Sequence, residues 1–166
     1  MIELRDIKKS FGTKVVLNGV TCVIPKGKTT CVIGRSGCGK SVLLKHVVGL
    51  LHADSGNVMI DGQDITRMSK DDIFSMRRSI GYVFQGAALF DSLSVFDNVV
   101  IGLVEHGETN KDLLQREGRR VLSAVGLLPD IKHAGTPEYE REFSILAYKR
   151  PSDLSGGMRK RVGVAR

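Results

Sequence analysis

Gly34-Arg35-Ser36-Gly37-Cys38-Gly39-Lys40-Ser41 decides how the rest of the chain is read. The spacing is G-x-x-x-x-G-K-S, a phosphate-binding loop. Gly34, Gly37 and Gly39 let the backbone turn and approach a ligand with no Cβ in the way. The loop N–H groups and the N-terminus of a following helix aim their positive ends at one spot. Lys40 adds a full charge for the β- and γ-phosphates, and the Ser41 hydroxyl is a hard ligand suited to Mg²⁺. Before the loop, residues 29–33 read as a short buried strand. After it, Val42-Leu43-Leu44 and Val47-Val48 read as a helix apolar nearly all round, hence buried. Strand, loop and helix in that order make a nucleotide the expected ligand.

Composition narrows the class. A chain of 166 residues with 42% hydrophobic content is long enough for one core. No stretch approaches the ~20 apolar residues of a membrane span. Residues 1–6 show neither a charged nor an apolar leader region, so no signal peptide is expected. Cys22, Cys31 and Cys38 lack metal-site spacing and read as reduced cytosolic thiols. The net charge of +7 raises the question of nucleic acid. Its distribution answers it: Lys149, Arg150, Arg159, Lys160, Arg161 and Arg166 stand against Asp153 alone at one end. There is no Trp for base stacking and no aromatic RNA-binding motif. No nucleic-acid partner is expected, and the charge run reads as a solvated helix face.

Residues 1–33 read as β-structure, with turns at Gly12-Thr13 and Pro25-Lys26-Gly27. Phe11, before the first turn, is either hairpin packing or an aromatic plate for a base. Asp61-Gly62 reads as a hairpin corner rather than a metal site. Ser69 with Asp72 starts a short helix over 70–77. Residues 80–85 read as a buried strand ending in Gln85, a position where open α/β sheets place ligand groups. The character then turns helical. Ser94 with Asp97 caps 95–104, and Asn110 caps 111–125, which Gly126 closes. Residues 127–153 are irregular and carry Pro129, Pro137 and Pro151, with a short helix over 138–149. Leu154-Ser155-Gly156-Gly157-Met158 opens a last helix over 159–166. Its two glycines expose backbone N–H groups at a positive helix end. One nucleotide rarely needs two such sites in one chain, so the second is expected to serve the nucleotide of another subunit.

These residues resemble the nucleotide-binding subunit of an ABC (ATP-binding cassette) transporter. The phosphate loop, Gln85 and the LSGG turn appear in that family's order. The resemblance implies an α/β fold. It has a P-loop NTPase (RecA-like) core, an N-terminal antiparallel β subdomain and an α-helical subdomain, and is incomplete at the C-terminus. It divides the chain into a β subdomain and core over 1–86, a helical subdomain with the signature over 87–158, and the start of a return to the core over 159–166. ATP and Mg²⁺ are the implied cofactors. Residues 34–41 and Val42 (most cassettes have Thr there) would hold the triphosphate, and Phe11 would stack on adenine. Ser155, Gly156 and Gly157 would reach the γ-phosphate across a two-fold homodimer. Ser41 and Gln85 would meet Mg²⁺, and Lys40, Gln85 and Ser155 would carry the catalytic roles.

Residues 41–46, 84–93, 96–98 and 156–161 further resemble the Mla/Mce-type branch, which moves phospholipid or related lipids between membranes. The implied function is an ATP-binding and hydrolysing subunit, closed by ATP and coupled to a transmembrane permease at the cytoplasmic membrane face. The alternatives are the ATPase of an importer of polar solutes, or a soluble non-transport ATPase of this type. Two departures stand out. Residues 129–150 run longer than the family usually has before LSGG. The Asp, Glu and switch His that the family places after the signature do not appear by Arg166. His46, His52, His106 and His133 all precede LSGG. The expectation for these 166 residues is at most weak ATP binding and no meaningful hydrolysis.

Overall fold

β1 (Ile2–Phe11) and β2 (Lys14–Ile24) form a long hairpin around Gly12-Thr13. Leu4, Ile7 and Leu17 are its buried residues. β3 (Ser55–Ile60) pairs with the other edge of β1, and β4 (Gln63–Asp64) with β3, giving an antiparallel sheet of order β2-β1-β3-β4. The expected corner at Asp61-Gly62 is there, with φ of 45° and 86°, the left-handed pair of a tight hairpin turn. The Asp61 carboxylate accepts from the amino terminus of Met1, a structural tie that leaves it no part in a metal site.

The computed structural model describes Met1–Arg166 and resolves into two compact units, Met1–Tyr82 and Val83–Arg166. In the first, the sheet packs with α1 (Lys40–Val47) around Leu4, Ile7, Leu17, Leu43, Val47, Val58 and Ile65. α2 (Lys70–Arg77) starts on the Ser69 hydroxyl, which accepts from the Asp72 N–H as the spacing predicts. Two expectations are corrected. Residues 29–33 and 80–85 form no strand: the first is coil and the second is coil running into a turn at Gln85, and Ile33 is 88% exposed. An isolated strand has no stability without a ladder, and neither stretch joins the sheet β2-β1-β3-β4. The helix after the loop is also less buried than its composition suggests. Leu43, His46 and Val47 face the core while Leu44 is exposed.

The second unit is built from α3 (Val95–Glu105), α4 (Lys111–Ala124), α5 (Pro137–Ala147) and α6 (Gly156–Ala165). Ser94 and Asp97 make a reciprocal capping box on α3, and Asn110 caps α4. The core joins Val95, Val99, Leu122, Tyr139, Phe143, Leu146, Leu154 and Val162. α5 gives the long stretch before the signature a role. Its Tyr139 is 1% exposed and its hydroxyl meets Ser123 Oγ at 2.9 Å. Its Phe143 meets Phe96 edge-to-face at 6.0 Å. Residues 159–165 lie in α6, with Arg166 as its C-cap, and place Val162 in this same core. The basic end is not simply solvated. Arg150, Arg159, Arg161 and Arg166 donate to the carbonyls of Ser92, Leu154, Gly126 and Ala88, closing turns of the helical unit.

Candidate functional site

The loop lies in the first unit, between the hairpin and α1. Gly39 is the N-cap of α1 at φ 99°, ψ 2°, and contributes no side-chain cap. No acidic residue stands in the first turn. The helix therefore begins with N–H groups and a positive dipole end unopposed by protein carboxylate. Gly39 is buried against β2, where a Cβ would lie 3.0 Å from the Val16 carbonyl and 3.1 Å from Leu17 Cδ2. Positive φ and close approach to β2 both demand glycine here. At Gly37 a Cβ would meet nothing within 4 Å, so the loop's outer rim is open. Arg35, Ser36, Cys38 and Ser41 are exposed. Lys40 Nζ donates to the carbonyls of Gly34 and Arg35, both at 2.8 Å, and lies 3.9 Å from Cys38 Sγ. The ammonium thus crosses the loop it belongs to. An uncapped helix start, an open glycine rim and one ammonium are a donor set that fits a polyphosphate. The exposed Ser41 hydroxyl fits a hard divalent cation as one ligand among several.

Phe11 ends β1 and is 48% exposed, with Lys9 Nζ 5.6 Å from its ring centroid. Phe11 is therefore not a buried packing residue of the hairpin. Val42 is half-buried and packs against the sheet core.

In the second unit, Gln85 is exposed and sits within a turn closed by the Ala87 N–H on the Phe84 carbonyl, 3.0 Å. The signature starts α6 earlier than its pattern suggested, because Gly156 and Gly157 are themselves helical. Leu154 is anchored in the core at 4% exposure. Ser155 is the N-cap, and its Oγ accepts from the Met158 N–H at 3.2 Å. Gly156 and Gly157 face open space.

One residue near the loop escaped the sequence reading. His46, on α1, is 1% exposed; its Nδ1–H donates to the Val42 carbonyl at 2.7 Å, and Nε2 has no partner. It follows Lys45 between two apolar pairs, and nothing local marked it as buried. Asp54 lies just before β3 and is tied to the end of β1. Its carboxyl is held below the ordinary carboxylate range by the Lys9 ammonium and by the Ser10 N–H.

Comparisons with known proteins agree with this geometry. Residues 17–166 match the ABC transporter family. The "Probable ribonucleotide transport ATP-binding protein mkl" of Mycobacterium tuberculosis (strain ATCC 25618 / H37Rv) is 37% identical over 99% of this chain and 42% of its own length. The intermembrane phospholipid transport system ATP-binding protein MlaF of Haemophilus influenzae is 35% identical over 100% of this chain and 57% of its own length. The chain therefore spans between two-fifths and three-fifths of these relatives. A dimeric bacterial ABC transporter cassette superposes with a TM-score of 0.81 at 27% identity, over 99% of this chain and 68% of that one. No helix is long and apolar enough to cross a membrane. With the phosphate loop on α1, the LSGG turn on α6 and a family match over residues 17–166, the chain belongs to the ABC transporter ATP-binding family and has its α/β P-loop fold.

Proposed function

We propose that the chain is the ATP-binding part of a transporter ATPase that works as a homodimer on a transmembrane permease at the cytoplasmic membrane face. The observation that carries this reading is the pair of glycine-rich helix starts, α1 and α6, in one chain of this family. The bound nucleotide and Mg²⁺ supply the phosphoryl group and neutralise its charge during transfer to water. Residues 34–42 bind the triphosphate through backbone N–H groups. Lys40 leaves the Gly34 and Arg35 carbonyls for the phosphate oxygens, and Phe11 stacks the base. The Ser41 hydroxyl would hold the cation as one oxygen ligand, and the family resemblance implies the same role for Gln85. Ser155 and the N–H groups of Gly156 and Gly157 bind the terminal phosphate held by the other subunit. Such a dimer would appear in size-exclusion chromatography with Mg-ATP and be lost in Lys40→Ala. A monomer at saturating Mg-ATP counts against it.

For the cargo we infer phospholipid or a related lipid, supported by the resemblance at residues 41–46, 84–93, 96–98 and 156–161 and by the likeness to MlaF. The likeness to Mkl, at similar identity, favours a polar solute instead. Reconstitution with the co-purified permease separates them: phospholipid should stimulate phosphate release, and a response to ribonucleotide alone would overturn the lipid reading.

A further inference from the structure

On its β3-facing edge the end of β1 is held by one carboxylate, while the other edge stays paired with β2 as far as Phe11↔Lys14. Asp6, at φ 49°, breaks the register of β1 against both neighbours, and its N–H is taken up by Thr21 Oγ1 at 2.9 Å. Gly56 lies against this bulge, where a Cβ would come 2.3 Å from the Asp6 carbonyl oxygen. Beyond the bulge, β1 pairs again with β3 only at Lys8↔Ser55. Asp54, just before β3, takes over from there. Its N–H donates to the Lys8 carbonyl at 2.9 Å. Its Oδ1 accepts from Lys9 Nζ and its Oδ2 from the Ser10 N–H, each at 2.7 Å. Lys9 Nζ in turn lies over the Phe11 ring. Three successive residues leading to Phe11 are thus tied to Asp54, while Phe11 itself is 48% exposed and is not held by burial. The Lys9 side chain is only 17% exposed, so its ammonium is committed to this arrangement rather than to solvent.

We propose that Asp54 is a positioning residue for nucleotide binding, holding the end of β1 and the Lys9 ammonium so that the Phe11 ring is presented to the base. The inference rests on the reading of Phe11 as the base-stacking residue. Stacking depends on ring orientation, and an exposed ring at the end of a strand paired on one edge only loses part of that orientation to conformational freedom. The phosphate loop does not depend on Asp54, so loss of the clamp weakens the base contact and spares the phosphate contact.

The chain contains no tryptophan, so Phe11→Trp places a single indole fluorophore at the ring position. In that protein Mg-ATP should quench the indole emission, and Mg-tripolyphosphate should not. Adding Asp54→Ala should lower the steady-state anisotropy of the indole without ligand and raise the ATP concentration for half-quenching about tenfold, the scale of one base–aromatic stack. Asp54→Glu should restore part of both. Tripolyphosphate affinity, by calorimetry, should stay unchanged in all three. Lys9→Met, which keeps Asp54 and the Ser10 N–H bond, should lower anisotropy in the same direction and guards against a misfolded Asp54 variant. If ATP leaves the indole unquenched, the stacking reading falls and the inference with it. If the indole is quenched equally with and without Asp54, the stacking reading stands and Asp54 has no positioning role.

Discussion

Two helices in this chain begin at glycine-rich turns and do so in different ways. α1 starts from Gly39 in a left-handed conformation, with no side chain covering its first N–H groups. α6 starts from Ser155 in an extended conformation, φ −63° and ψ 160°, with its own hydroxyl on the Met158 N–H. Both present a positive helix end. The first leaves its donors to a ligand and uses Lys40 on its own carbonyls. The second is already capped, so any anion it binds shares a turn that stands by itself. Under the proposed function, the loop is completed by phosphate and the signature is carried as a rigid turn to a phosphate held by the other subunit. If this contrast is right, substitutions at matching positions should have unlike effects.

The largest effect belongs to Lys40. Lys40→Ala removes the only ammonium of the loop and one charge-assisted hydrogen bond, worth about 1.5–3 kcal/mol. Mg-ATP affinity should fall by at least about tenfold in calorimetry, while the melting temperature stays within a few degrees. Undiminished affinity would mean that the backbone N–H groups alone hold the triphosphate.

Next come the glycines. Gly39→Ala forces a Cβ onto a residue at φ 99° and against Val16 and Leu17, for a cost of about 1–3 kcal/mol of backbone strain with crowding added. Gly157→Ala meets open space within a helix, where alanine is favoured over glycine by up to about 1 kcal/mol. Thermal midpoints should therefore move in opposite directions. A parallel fall in both would erase the distinction between the two starts. Ser155→Ala should be smaller than Gly39→Ala, about 1 kcal/mol for loss of a cap, read as a lower urea midpoint. An unchanged midpoint would show that the Arg159 guanidinium on the Leu154 carbonyl suffices to hold the turn.

The same contrast separates what the sequence made legible from what it hid. Caps at Ser69, Ser94 and Asn110 depend on a side chain and an N–H two or three residues away, so local pattern exposed them. The helix expected over 138–149 is α5, Pro137–Ala147, and its start carries the same kind of signal, Thr136 as N-cap with Pro137 in the first turn. Residues 29–33 and 80–85 have strand composition, yet a strand exists only through its partner, and composition cannot show whether one is present. The phosphate loop and the LSGG turn were legible because spacing alone specifies their backbone. The roles of Asp54, His46 and the four carbonyl-bound arginines were not, since Asp54 meets β1 from 44 residues away and Arg166 meets Ala88 from 78 away.

The smallest predicted effect tests the rigidity assigned to the helical unit. Glu140 on α5 accepts from Arg119 Nη2 of α4 at 2.7 Å and from the Gly135 N–H at 3.1 Å, and Arg119 also stacks on Phe143 at 4.0 Å. The Arg119 guanidinium, and then the Gly135 N–H, hold the Glu140 carboxyl below its ordinary value of 4.5. A carboxyl that binds its proton less readily when folded than when unfolded stabilises the fold while ionised. That contribution is fully present above pH 4.5 and is lost as pH falls through the lower folded value. The pair is partly solvent-exposed, so salt and water screen it and the gain is small. Melting by circular dichroism should show the wild type above Glu140→Gln at pH 7. The gap should narrow as pH is lowered below 4.5 and should shrink with added salt. A gap independent of pH would assign the effect of Glu140 to packing rather than charge. The signature would then sit on a unit held by its apolar core and by the guanidinium–carbonyl bonds at Arg150, Arg159, Arg161 and Arg166 alone.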